Sequence, residues 1–72
     1  MLFEKIEREL EKKAMEKGLV LGEENVTIKL EMNVKDRTEW ENETCNKIME
    51  LGYWYEWEEN YYTGEYDLII TA

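Results

Sequence analysis

The fold turns on Tyr53–Asp67, YWYEWEENYYTGEYD, where seven tyrosines and tryptophans are interleaved with five carboxylates and no lysine or arginine intervenes. Large apolar and acidic residues alternate with the period of a strand, and Thr63-Gly64 between two aromatic runs reads as a hairpin turn. A two-residue loop pairs Tyr61 with Tyr66 and Trp57 with Ile70. That register sets Tyr53, Tyr55, Trp57, Tyr61, Tyr66, Leu68 and Ile70 on one face, with Glu59 the single misfit and a candidate local bulge. A three-residue loop with a bulge would scatter the apolar set, so the tight turn is preferred. The opposite face then shows Trp54, Glu56, Glu58, Asn60 and Tyr62 beside Glu65, Asp67, Ile69 and Thr71.

Working outward, Thr38 and Glu41 match a capping box. Glu39, Glu41 and Glu43 crowd the positive end of the helix they begin, and Gly52 supplies its stop. The spacing predicts a helix over about 39–51 with Trp40, Thr44, Ile48 and Leu51 as its buried stripe, broadened by Cys45 and Met49. Before it, Val26, Ile28, Leu30, Met32 and Val34 alternate with Thr27, Lys29, Glu31 and Asn33, the pattern of a strand with one buried face. At the start of the chain, Leu2, Phe3, Ile6, Leu10 and Ala14 recur at helical spacing and Met15 widens the stripe. Gly18 fits a left-handed C-cap, giving a helix over about 2–17. The run Leu19–Leu21 is too brief to assign.

The order helix, strand, helix, strand, strand predicts one α+β domain over 1–72, a small two-layer sandwich. Its three-stranded sheet ends in a C-terminal β-hairpin and carries both helices on one face. A helix joining the first two strands predicts that they run parallel through a right-handed crossover, with the strand order left open. At 72 residues burial barely exceeds the entropy of ordering the chain, so Tyr53, Tyr55, Trp57 and Tyr66 are expected to serve as core.

Charge bounds the function. Eighteen acids against nine bases give a net charge of −9, and the first 18 residues, with five of each sign, are neutral. The excess therefore lies beyond residue 18, where thirteen acids face Lys29, Lys35, Arg37 and Lys47. Such a surface repels phosphate backbones and anionic membranes and attracts cationic surfaces. Neither direct nucleic-acid binding nor a membrane span is expected, the longest apolar runs being three residues. The lone Cys45 suits a reducing, cytoplasmic setting and reads as a small core residue rather than a nucleophile.

Catalysis lacks its parts. The chain has no histidine and no Gly-rich phosphate loop, and a carboxylate pair such as Glu56 and Asp67 would need a cleft that a chain of this size can hardly build. Glu56, Glu58 and Glu59 match no calcium-loop spacing, so neither metal nor cofactor is expected. Asn25-Val26-Thr27 and Asn42-Glu43-Thr44 fit the glycosylation pattern by chance, the second inside a helix.

What remains is the outer face of the hairpin. Acids in rows without interspersed lysine oppose sheet stability, and an exposed tryptophan among them can stack on arginine while carboxylates pair with it. In size and charge the chain resembles the small acidic inhibitors of phages and bacterial antagonism systems: anti-CRISPR proteins, DNA mimics and nuclease immunity proteins. That likeness is of composition and involves no motif. It implies a non-enzymatic inhibitor that occupies the basic nucleic-acid-binding surface of a partner protein. Trp54, Tyr62 and Ile69 are the candidate anchors, and Glu56, Glu58, Glu65 and Asp67 the charges that steer, aided by the acidic start of the second helix. The competing expectation is a self-assembling module, a homodimer through the sheet face or edge, with acidity serving solubility. A pocket for a small cation between Trp54 and Tyr62 would lack a third wall.

Overall fold

In the computed structural model, which describes residues 1–60, 62 and 65–72, the four-residue spacing of Leu2, Ile6, Leu10 and Ala14 builds helix α1 (Leu2–Lys17) and buries all four. Phe3 is half-buried, whereas Met15, expected to widen the stripe, is 83% exposed on the solvent side. Gly18 ends α1 at φ 65°, in the left-handed region, and the Leu19 N–H returns to the Ala14 carbonyl at 2.8 Å.

The first turn of α1 has no side-chain cap of its own; instead the Leu2 N–H donates to Glu39 Oε1 at 3.0 Å. A carboxylate from the second helix thus sits at the positive end of the first. Replacing it, Glu39→Ala, is expected to lower stability by about 1 kcal/mol, read from the urea midpoint. Glu39→Gln, which keeps an acceptor but no charge, should fall between the two. A Glu39→Ala midpoint equal to wild type would remove this cap from the account.

Strand β1 (Thr27–Met32) alternates as expected, with Ile28, Leu30 and Met32 buried. It stops before Asn33 and Val34, which the alternation had placed in it. Asn33 takes an extended conformation, and its side chain accepts the Asp36 N–H at 2.8 Å as an N-cap. Helix α2 therefore begins at Val34, not near residue 39, and Thr38 is no cap: its hydroxyl donates to the Val34 carbonyl at 3.0 Å from inside the helix. Two capping signals competed, and the earlier one ended the strand.

Helix α2 occupies 34–50 as three continuous segments: Val34–Glu39, a π-helical turn Trp40–Thr44, and Cys45–Glu50. In the wide turn the Cys45 N–H bonds to the Trp40 carbonyl five residues back. This under-rotates the chain and keeps Trp40, Thr44 and Ile48 in line toward the core, all buried. Met49 and Leu51, expected to extend the stripe, are exposed, and Cys45 is half-buried. Gly52, at φ 75°, stops the helix as expected.

Strands β2 (Trp54–Asn60) and β3 (Glu65–Thr71) follow, and the sheet order is β1-β3-β2 with every neighbouring pair antiparallel. β1 and β2 thus run parallel, as the helical connection requires, with β3 between them. The buried set of α1 and α2 packs on Val26, Ile28, Leu30, Met32, Leu68 and Ile70, so both helices cover one sheet face.

The hairpin register differs from the expected one by two residues. Trp57 lies opposite Leu68, Tyr55 opposite Ile70 and Glu59 opposite Tyr66, and the last described pair is Asn60 with Glu65. A shift of two leaves every side chain on its predicted face, whereas a shift of one would have inverted them. The Thr63-Gly64 turn and Tyr61 lie outside the described residues. No bulge occurs at Glu59, which stays in register and exposed.

The aromatic core is also rearranged. Trp40, 3% exposed, fills the interior, its ring meeting Tyr55 at 5.1 Å and Trp57 at 6.0 Å edge-on. Tyr53 and Tyr55 pack partly against the core, but Trp57 and Tyr66 remain 37% exposed. Trp57 stands on an edge strand with one flank open, and Tyr66 is covered by the Arg37 guanidinium, 4.8 Å from its ring centre.

Candidate functional site

Residues of the sheet that point away from the helices form three rows across all three strands. Thr27, Thr71 and Trp54 make the first; Lys29, Ile69 and Glu56 the second; Glu31, Asp67 and Glu58 the third, with Glu65 beyond it on β3. Both helices pack on the other face, so nothing in the described fold roofs these rows. One end is neutral, where the Thr27 and Thr71 hydroxyls hydrogen-bond at 3.0 Å beside Trp54, 71% exposed. The other end is acidic.

The predicted site residues are largely brought together. Trp54, Glu56, Glu58 and Glu65 are exposed on this face, and Ile69 is half-buried at its centre. Tyr62 is fully exposed and lies beyond Asn60–Glu65, the last pair among the described residues. Asp67 occupies the outer face of the central strand and is only 7% exposed, because the side chains of the two flanking strands enclose it. The acidic start expected for the second helix does not join the site: Glu39, Glu41 and Glu43 lie within α2, on the opposite side of the sheet.

Sequence reasoning missed Lys29 and Glu31. Alternation alone exposed them, but only the strand order puts β1 beside β3 and carries both onto the acidic face. The Lys29 ammonium lies 3.3 Å from Glu58 and 3.6 Å from Asp67, bridging the outer strands over the central one. The Glu58 hydrogen bond and charge, and then the Asp67 charge, hold Lys29 above its ordinary value. A raised value means that this pairing is fully present below the ordinary lysine pKa of 10.5 and is lost as pH rises through the folded one. Lys29 thereby relieves the Glu31–Asp67–Glu58 row, in which like charges face each other directly. The face as a whole stays negative: Glu31, Glu56, Glu58, Glu65 and Asp67 against Lys29.

Lys12, Lys13 and Lys29, with Glu9 and Glu16, line a groove between α1 and β1. Among the described residues no three acidic, cysteine or histidine side chains converge as metal ligands, and no helix is long and apolar enough to cross a membrane. Cys45 lies within 3.8 Å of the Met49 sulfur, and its thiol beside Tyr55 pushes that phenol above its ordinary range, hydrogen bonding being the main cause.

Compared with protein-family models, curated proteins and solved structures, the chain matches none.

Proposed function

We propose that this protein is a non-enzymatic inhibitor or binding protein that docks its outer sheet face on the basic, nucleic-acid-binding surface of a partner protein. The observation that carries the reading is the uncovered face itself: five carboxylates share it with one lysine, next to an exposed tryptophan. Neighbouring carboxylates along a strand stand roughly 6.5–7 Å apart, within the ~8 Å screening length at physiological salt. A cationic partner meets them as one field. Trp54 at the neutral end supplies a desolvating anchor that stacks on arginine, and the surrounding acids set orientation and encounter rate.

The same arrangement opposes self-assembly through β2. In antiparallel self-pairing along the full strand, Glu56 and Glu58 of one copy would meet those of the other.

Immobilised protein should retain basic nucleic-acid-binding proteins from an extract. A DNA mimic predicts their release by duplex DNA and by about 0.5 M salt, where screening is within a few ångströms. Retention unaffected by duplex DNA, or equal for the triple variant Glu56→Lys, Glu58→Lys, Glu65→Lys, would overturn the proposal.

A further inference from the structure

The two edges of the sheet are not equivalent, and hydrogen-bond parity shows what each leaves open. Val26 and Ala72 exchange both backbone bonds, at 3.2 and 2.9 Å, which makes them a hydrogen-bonded pair of the β1–β3 ladder. Such pairs alternate, so Tyr66, Leu68 and Ile70 direct their backbone groups at β1, and Glu65, Asp67, Ile69 and Thr71 direct theirs at β2. On β2 the partners Trp54, Glu56 and Glu58 face β3. The N–H and C=O groups of Tyr55, Trp57 and Glu59 therefore point outward along the free edge.

Free edges are usually blunted by lysine, proline or a bulge. This one has no lysine or proline between Tyr53 and Asn60, and its register is unbroken. Its protection against a second copy is the like charge of Glu56 and Glu58, which selects for a strand of opposite sign. Trp57 adds apolar surface on the inner side, where it is partly open to solvent.

Building on the binding reading above, we infer that the free edge of β2 accepts an extended segment of the partner protein as a fourth, antiparallel strand, and that this segment alternates basic and apolar residues. Its lysines or arginines stand beside Glu56 and Glu58 on the outer face. Its apolar residues lie opposite Tyr55 and Trp57 and exchange backbone bonds with them. From Tyr55 to Glu59 the edge spans about 13 Å, so some five residues suffice. The main chain supplies affinity, and the acid row supplies the choice of partner.

The test titrates the intact protein with a short synthetic peptide of alternating lysine and valine, followed by NMR. The amides of Tyr55, Trp57 and Glu59 should become protected from solvent exchange. Backbone N-methylation of the valines, which removes the donors facing the edge, should weaken binding about tenfold or more, while N-methylation of the lysines changes it by less than about threefold. A glutamate–valine peptide should not bind. Binding without protection of those amides, or equal loss from both methylated peptides, overturns the edge inference and leaves charge attraction to the face intact. Failure of the peptide to bind also overturns it. The broader binding reading falls instead if capture of basic proteins is unaffected by duplex DNA or is equal for the triple variant Glu56→Lys, Glu58→Lys, Glu65→Lys.

Discussion

Reversing Glu56, Glu58 and Glu65 to lysine together is expected to slow association with a captured cationic partner by about 10- to 1000-fold at low ionic strength. All three side chains are exposed on the outer face, so the change acts on the field rather than on the core. Asp67 is left unchanged because its carboxylate is largely enclosed, so a lysine there would disturb packing as well as charge. Steering is an encounter effect, so the deficit should shrink as salt rises and appear mainly in the association rate. Stopped-flow kinetics across ionic strength measures it, with circular dichroism to establish that the variant is folded. Equal association rates at low salt would exclude this face as the docking surface.

Trp40→Ala is expected to cost about 3–5 kcal/mol, the range for removing a buried tryptophan. Trp40 is almost fully buried and its ring joins α2 to both Tyr55 and Trp57 of β2. A domain of this size has a total stability of the same order, about 5 kcal/mol. The variant should therefore unfold substantially at room temperature. Trp40→Phe should retain a cooperative transition, since a ring still meets Tyr55. Denaturation by urea with near-ultraviolet circular dichroism decides it: a Trp40→Ala transition within about 1 kcal/mol of wild type would show that the interior does not depend on this ring.

Much of the candidate site could be read before the fold was known. Periodicity of two assigns Trp54, Glu56, Glu58, Glu65, Asp67 and Ile69 to one face for any turn that changes the register by an even number of residues, because an error of two residues preserves side-chain direction. What could not be read was which strand lies next to β3 on its other side. Lys29 is 38 residues before Asp67 in the chain, and no local signal links them. Tyr62, assigned to the same face by extending the ladder, lies beyond Asn60 and Glu65, the last pair among the described residues.

The amino-acid sequence by itself determined α1, the core alternation of β1, the two glycine helix stops and the faces of the hairpin. Each follows from spacing or backbone preference within a few residues. Tertiary structure alone decided the rest. Asn33 won over Thr38 as the start of α2, although both are capping residues. The π-helical turn keeps Trp40, Thr44 and Ile48 in line, and Trp40 is buried whereas Trp57 and Tyr66 stay partly exposed. With β3 at the centre of the sheet, Lys29 is set among the acids and β2 is left with an open edge. These outcomes depend on contacts between residues distant in the chain, whose energies appear only when the layers close on one another.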